Sequence, residues 1–261
     1  MKVISINTNG IRAAARKGFY EWLAVEDPDI VCIQETKAQV EQLTDPCFFP
    51  TNYHCVYNDA LKKGYSGVAI YSKEAPTKVI RELGWSLADD EGRYLQYDFP
   101  NLSVVSLYLP SGSSKDERQA LKMEMLGHFS EHLRSILDSG REWILCGDYN
   151  IAHTKDDIKN WRANQKNSGF LPEERAWMDH VFDDLGFADA FRRLEPKTDQ
   201  YTWWSNRGRA WDNNVGWRLD YQVVTPGLLN RLKRADIYKA QRFSDHAPVI
   251  IEYDLDFDTM T

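Results

Sequence analysis

The sequence predicts an α/β (or α+β) fold in which mixed β-sheets and outer helices form a layered sandwich. Short apolar segments typical of strands alternate irregularly with helical segments, and several strands follow one another with no helix between them. No GxGxxG or Walker loop is present, which disfavours a doubly wound nucleotide-binding fold. Strands are predicted near residues 2–6, 30–33, 67–71, 94–99, 102–108, 143–146, 219–224 and 248–253.

Capping signals and apolar spacing predict three helices. Ser114–Glu117 is a capping box, and apolar residues then recur at every fourth position until Gly140. A second helix is predicted from Pro172 to Gly186, because proline suits the first turn of a helix and glycine its end. A further helix is predicted around residues 19–23.

Length and composition favour one domain over residues 1–261, with a short acidic tail at 254–261. Hydrophobic residues make up 43% of the chain, and no linker or internal repeat divides it. No apolar run is long enough to span a bilayer and no signal peptide is visible, so we expect a cytoplasmic protein with no membrane partner. The four cysteines lack CxxC spacing, which argues against a zinc site or a disulfide framework.

Polar residues stand where the predicted strands meet loops. The strand that ends at Cys146 runs into Gly147, which allows a sharp exit, and then into a carboxylate and an amide. Other strands have similar junctions, and the whole set is Asn7, Glu35, Tyr108, Asp148, Asn150, Asp220, Asp245 and His246. Because chemistry on α/β folds tends to occur where strands end, this set indicates an active site.

These residue types suit metal-assisted hydrolysis. The Glu35 carboxylate is a ligand suited to Mg²⁺ or Mn²⁺, whereas a lone histidine makes zinc improbable. Asp220 and His246 would form a carboxylate–imidazole pair. Asp148 could orient or deprotonate a water, or protonate a leaving oxygen. No Ser or Cys lies in a nucleophile motif, so direct attack by water on a phosphoester is favoured.

Neutral donors complete the set. Asn7, Asn150 and Tyr108 could donate hydrogen bonds to the oxygens of a phosphoryl transition state. A structural interpretation is open for single members, since Asn7–Gly10 is a good turn and the Asp245–His246 pair could cap a strand.

Six segments together resemble the exonuclease III family of apurinic/apyrimidinic endonucleases, of the bacterial type. They occur in the family's order between about residue 2 and residue 253, and they are Asn7–Arg12, Gln34–Lys37, Gly147–His153, Asn164–Phe170, Gly216–Tyr221 and Ser244–Pro248. The resemblance implies a four-layered α/β sandwich and dependence on Mg²⁺, for which Mn²⁺ would substitute. It also implies a monomer that acts on double-stranded DNA containing abasic sites or blocked 3′ ends.

The resemblance also implies a role for each matching residue. Glu35 would be the principal metal ligand, with Asn7 and Asp245 completing its surroundings. The catalytic residues would be Tyr108, Asp148, Asn150, Asp220 and His246. The pocket for a flipped-out abasic sugar would be lined by Trp203, Trp217 and Leu219, where an apolar wall could reject an intact nucleotide. DNA contacts would come from Arg12, Arg162, Asn164, Lys166 and Asn167, with Arg207 as a candidate for entering the helix near the lesion.

The sequence departs from some relatives of this family at two positions. Asn9 stands where some relatives carry an acid, and Ser111 where some carry Asn.

Two other functions compete with that of an abasic-site endonuclease. One alternative is a non-catalytic nucleic-acid binder like the catabolite repression control proteins, and the complete polar set argues against it. The other is a different phosphoester substrate, as in the sphingomyelinase-like and inositol-phosphatase branches. The net charge of −7 argues only weakly against DNA, because binding depends on local charge.

Overall fold

The computed structural model describes residues 1–113 and 116–257. The strands in these ranges are β1 Lys2–Asn7, β2 Ile30–Gln34, β3 His54–Asn58, β4 Val68–Ser72, β5 Lys78–Ile80, β6 Tyr94–Asp98, β7 Leu102–Tyr108, β8 Glu142–Asp148, β9 Ala188–Asp189, β10 Trp203–Trp204, β11 Gly216–Trp217, β12 Asp220–Val224, β13 Leu232–Ile237 and β14 Val249–Tyr253. The α-helices are α1 Ile11–Arg16, α2 Phe19–Glu26, α3 Ser86–Asp89, α4 Asp116–Asp138, α5 Trp161–Asn164, α6 Pro172–Asp179 and α7 Ala190–Leu194. Short 3₁₀ segments lie at Val40–Gln42, Pro46–Phe48, Lys155–Asp157 and Pro226–Arg231, and a π-helical turn at His180–Asp184.

The strands form two mixed sheets of six strands each and one short hairpin pair. The order in the first sheet is β13-β14-β1-β2-β4-β3, and the order in the second is β5-β6-β7-β8-β12-β9. In each sheet one central pair is parallel, β1 with β2 and β7 with β8, and the other pairs are antiparallel. The remaining pair, β10 with β11, is antiparallel.

The two sheets pack face to face, and helices cover their outer faces. Val3 and Cys32 of the first sheet share a core with Ile144 and Cys146 of the second. Helices α4 and α6 pack on the outer face of the second sheet, and α2 packs on the outer face of the first. Burial of apolar side chains between successive layers is the main favourable contribution to such a fold. The predicted sandwich is therefore confirmed, with four layers.

The eight predicted strands are all present within about two residues of their expected ends. The long helix α4 ends at Asp138, just before Gly140, as predicted, but the capping box at Ser114 and Lys115 lies outside the described residues. The Pro172 helix becomes a π-helical turn in its second half. Most of the acidic tail, residues 258–261, also lies outside the described part of the chain. None of the helices in the described ranges has the length and apolar character that a membrane span requires.

Candidate active site

The site lies where central strands of both sheets end. In the first sheet, β1 ends at Asn7 beside the end of β2, and Glu35 follows directly. In the second, the ends of parallel β7 and β8 place Tyr108 beside Asp148. Strand β12 runs antiparallel to β8, so its first residue, Asp220, faces Asp148. This topology explains how polar residues scattered through the sequence come together.

Two site residues leave their strands in the left-handed region of backbone space. Glu35 has φ of 49° and Asn150 has φ of 52°. Such a conformation costs free energy for a residue with a side chain and tends to occur at functional sites. Both residues line the main cavity of the protein.

A buried histidine links two carboxylates at the floor of the site. His246 Nδ1 lies 2.8 Å from Asp220 Oδ2, and His246 Nε2 lies 3.8 Å from Asp148 Oδ2. Asp148 also accepts hydrogen bonds from the backbone N–H of Asn150, 2.8 Å, and from Asn7 Nδ2, 2.8 Å. The predicted carboxylate–imidazole pair is therefore brought into contact, with Asp148 on its other side.

The protonation states of this group follow from burial and from neighbouring charge. Burial alone would lower the pKa of His246, but the carboxylates of Asp220 and Asp148 outweigh it and raise the pKa to about 10. Burial, with the charges of Asp220 and Glu35, raises the pKa of Asp148 to about 7, against the opposing effect of His246. At neutral pH the imidazole is thus a cation, and Asp148 is the group poised to exchange a proton.

The donors at this edge fit a divalent cation. Ligand atoms of Glu35, Asp148 and His246 all lie within 4.8 Å of one another. Lys37 Nζ lies 2.7 Å from Glu35 Oε2, so this carboxylate already attracts a positive charge. Because the protonated His246 ring has no free lone pair, the carboxylates of Glu35 and Asp148 are the available ligands of this group, and carboxylate oxygen suits a hard divalent ion better than a structural zinc.

Asn7 and Asp245, the other two predicted metal residues, hold hydrogen bonds here. The Asn7 side-chain nitrogen donates to both Glu35 Oε1, 2.7 Å, and Asp148 Oδ2, 2.8 Å, so it fixes the two carboxylates relative to each other. Asp245 accepts from Asn9 Nδ2 at 3.0 Å and from Trp203 Nε1 at 3.1 Å. Their roles as metal ligands stay predictions.

The three predicted pocket residues line one wall of a cavity of about 830 Å³. The rings of Trp203 and Trp217 meet edge to face at 6.1 Å between centroids, because β10 and β11 pair these two residues. Leu219 packs beside them against Phe170. The same cavity is lined by Glu35, Tyr108, Asp148, Asn150, Asp245 and His246, so wall and reacting groups share one space.

Tyr108 and Asn150 complete the polar wall. Burial and the charge of Glu35 raise the pKa of Tyr108 well above its ordinary value, so its hydroxyl stays protonated and can donate a hydrogen bond. The guanidinium of Arg93 lies 4.7 Å from the centre of the Tyr108 ring. Asn150 Nδ2 donates to the carbonyl of Leu109 at 2.8 Å.

The predicted DNA-contact residues differ in their position relative to this cavity. Lys166 and Asn167 line it, and Asn167 Nδ2 donates to Asn164 Oδ1 at 2.8 Å. Arg12 lies beside a smaller adjoining cavity that Asn9 also lines. Arg162 and Arg207 are exposed, outside the residues that line the main cavity.

Sequence reasoning missed a buried arginine behind the pocket wall. Arg218, between Trp217 and Leu219, binds Asp157 through Nε at 2.7 Å and Asp189 through Nη2 at 2.6 Å. These two ion pairs hold the segment between β11 and β12, beside the pocket residues Trp217 and Leu219. The one sequence signal for Arg218 was a basic residue between Trp217 and Leu219, and nothing in the sequence identified its partners.

Comparisons with known proteins agree with this geometry. The sequence pattern of the endonuclease/exonuclease/phosphatase family matches residues 4–246. The chain is 41% identical to an exodeoxyribonuclease of Bacillus subtilis (strain 168), over 95% of this chain and 98% of that protein. An apurinic/apyrimidinic (AP) endonuclease from Archaeoglobus fulgidus superposes with a TM-score of 0.89 at 28% identity, covering 98% of this chain and 100% of that one. A 3′ phosphatase from Neisseria, solved with a product DNA hairpin, superposes with a TM-score of 0.88 at 26% identity, with the same coverage.

Proposed function

The chain belongs to the endonuclease/exonuclease/phosphatase family, and from that premise we propose that it is a DNA repair nuclease. In this proposal it hydrolyses the phosphodiester 5′ to an abasic site in duplex DNA and leaves a 3′-hydroxyl. It also trims blocked 3′ ends and digests DNA in the 3′→5′ direction. The observation that carries the proposal is one cavity in which a buried Asp148–His246–Asp220 group faces an apolar wall of Trp203, Trp217 and Leu219.

Each polar group then has a task. Glu35, with Asn7 and Asp245 around it, would hold a divalent cation, which we propose to be Mg²⁺ with Mn²⁺ as a substitute. When bound, this ion would supply positive charge to the phosphoryl oxygens. As the water oxygen bonds to phosphorus and the bond from phosphorus to the 3′-oxygen breaks, Asp148 Oδ2 takes the water proton, since its pKa of about 7 suits that transfer at neutral pH. The leaving 3′-oxygen takes up a proton from solvent to give the 3′-hydroxyl. The His246 cation stabilises the negative charge that develops on the phosphoryl group.

The residues that line the cavity would select the substrate. A base-free deoxyribose could enter the cavity and pack against the two tryptophan rings, in a pocket that would reject a sugar carrying a base. Extruding it costs least where pairing is already lost. Lys166 and Asn167 would hold the DNA backbone beside the cavity. All these groups belong to one chain, which supports a monomer as the active form. Similarity to a bacterial exodeoxyribonuclease supports action in the cytoplasm.

The proposal is tested with three duplexes, each incubated with Mg²⁺ or with EDTA. One carries a single abasic analogue, one is undamaged and one has a blocked 3′ end. We expect metal-dependent incision at the lesion, and the other two duplexes then give the exonuclease and end-trimming shares. Tight binding of the abasic duplex with no cleavage under any divalent metal would instead favour a non-catalytic nucleic-acid binder.

DNA affinity should fall steeply with salt if Lys166 contacts a phosphate. Each neutralised phosphate adds about 0.9 to the slope of log K against log salt, so Lys166→Ala should reduce that slope by about 1. Fluorescence anisotropy with labelled abasic duplex in EDTA measures it between low and physiological salt. The matched control is Lys78→Ala, an exposed lysine of β5 at the opposite end of the second sheet from Tyr108. Equal slopes for the two variants would remove Lys166 from the interface.

A further inference from the structure

A buried ion pair lies directly behind the cavity. Lys122 of α4 and Glu174 of α6 have fully buried side chains, and Lys122 Nζ lies 2.6 Å from Glu174 Oε1. Burying two charges is expensive, and well-packed apolar residues of similar size are often as stabilising or more so. Neither side chain can touch DNA, because neither reaches the surface. The pair therefore calls for an explanation other than stability or direct contact.

Glu174 holds the loop that carries the predicted backbone contacts. Its Oε2 accepts hydrogen bonds from the backbone N–H groups of Gly169, 2.6 Å, and Leu171, 3.0 Å. Its Oε1 accepts from Gln119 as well as from Lys122. Residues 164–171, which include Lys166, are thus anchored at their end by one carboxylate.

Lys122 forms a hydrogen bond to the backbone beside the catalytic residue Asp148. Its ammonium donates to the backbone carbonyl of Asn150 at 2.8 Å, while the Asn150 N–H donates to Asp148 Oδ1 at 2.8 Å. These contacts on both sides of Asn150 favour its left-handed backbone conformation. The ion pair therefore restrains the backbone on which the orientation of Asp148 depends.

The anchored loop and the catalytic strand are also in contact. The backbone N–H of Ala152 donates to the carbonyl of Gly169 at 2.7 Å. A Cβ atom at Gly169 would lie 3.1 Å from the Asn150 carbonyl oxygen and 3.1 Å from Trp217 Cζ3. This close approach leaves little room for the loop to shift without moving Asn150 or the pocket wall.

We propose that Lys122 and Glu174 are positioning residues, which lock the 164–171 loop and Asn150 into one arrangement before DNA binds. This inference rests on the proposed nuclease function. Misplacing a reacting group by about 1 Å can lower the rate by about 10²-fold. A restraint on the backbone at Asn150 can therefore outweigh the free-energy cost of burying two charges.

The test separates positioning from stability. Lys122→Met leaves Glu174 buried without its cation and can fail to fold, so the deciding protein is the double variant K122M/E174M, which has no buried charge here. The conservative variant is Lys122→Arg, and the matched control is Glu173→Gln, an exposed neighbour. For each protein we would measure the thermal midpoint, the single-turnover rate on abasic duplex with Mg²⁺, and amide exchange at Asn150 and Ala152 in EDTA.

The double variant should melt at a lower temperature, because the N–H groups of Gly169 and Leu171 and the carbonyl of Asn150 lose their partners. We expect it to stay folded at the assay temperature and to lose about 10- to 100-fold in rate. Exchange at Asn150 and Ala152 should be faster, although neither N–H bonds to a replaced side chain. Lys122→Arg should restore most of the rate, and Glu173→Gln should equal the wild type. A double variant within threefold of the wild-type rate, or with unchanged exchange at those amides, overturns the proposal. If the wild type itself does not incise the duplex, the proposed function fails, and the exchange data still decide the positioning.

Discussion

Asp148→Asn is expected to lower the single-turnover rate of abasic-site incision by about 10²- to 10⁴-fold, with little change in DNA affinity. Burial and the charges of Asp220 and Glu35 place the pKa of Asp148 near 7, so the wild-type carboxylate exchanges protons in the working pH range. Asparagine keeps the size and the hydrogen bond from the Asn150 N–H, but it loses the hydrogen bond from Asn7 Nδ2 and cannot take a proton. The rate is measured with excess enzyme on labelled duplex, and the affinity by anisotropy in EDTA.

The stability of the variant provides the control. A carboxylate whose pKa is raised in the folded state costs stability as pH rises from its ordinary value toward its folded value, here toward about 7. At pH 8 Asp148→Asn removes this cost but also loses the hydrogen bond from Asn7, so its melting temperature should stay within about 4–8 °C of the wild-type value. A lost rate together with a larger fall in melting temperature at pH 8 would point to a damaged fold. A rate near the wild-type value would refute the assigned proton transfer.

The chemistry of the site could be predicted because the strands themselves carry it. Asp148 directly ends the apolar run of β8, and the register pairs it with Asp220, which begins β12. Glu35 and Tyr108 likewise stand at the ends of fully buried strands. An apolar run with a polar residue at its end is visible in sequence, and sheet topology then brings such ends together.

Six described strands escaped prediction: the two-residue strands β10 and β11, and four edge strands of the six-stranded sheets. In the described ranges β3 and β13 are the two edges of the first sheet, and β5 and β9 are those of the second. Strand β13 is half exposed and carries charged residues, and β9 has only two residues. Charged or very short edge strands protect a sheet from pairing with other chains, and for the same reason they lack the apolar run that identifies a strand.

The supporting contacts could not be predicted, because they join residues far apart in sequence. Lys122 and Glu174 are 52 positions apart, and each looks like an ordinary charged residue of an amphipathic helix. Arg218 and Asp157 are 61 positions apart. Burial of these charges depends on how helices and loops pack on the second sheet, which local spacing does not encode. The exposed DNA-contact residues carry even less local signal.

Asp220→Asn is expected to reduce incision by about 10²- to 10⁴-fold, although Asp220 is buried behind His246. Burial favours a neutral imidazole, and the Asp220 carboxylate is the largest influence that keeps it charged, with a pKa of about 10. The Asp220 Oδ1 atom has no hydrogen-bond partner among the described residues, so the interactions of this carboxylate serve mainly the imidazole. With asparagine the pKa of His246 should fall, and the cation beside the phosphoryl group should be lost at neutral pH.

Proton NMR of the His246 ring in EDTA measures that pKa directly, apart from turnover. Because the pKa is raised in the folded state, the stabilisation it gives is complete below about pH 6.5 and is lost as pH rises through about 10. In Asp220→Asn this loss should be smaller and should be complete at a lower pH, because the folded-state pKa of His246 is lower. Rates should be strongly non-additive, with the Asp220→Asn/His246→Asn double variant no slower than His246→Asn, since Asp220 acts through the ring. Fully additive losses, or an unchanged His246 pKa, would mean that Asp220 affects the reaction by some route other than the imidazole.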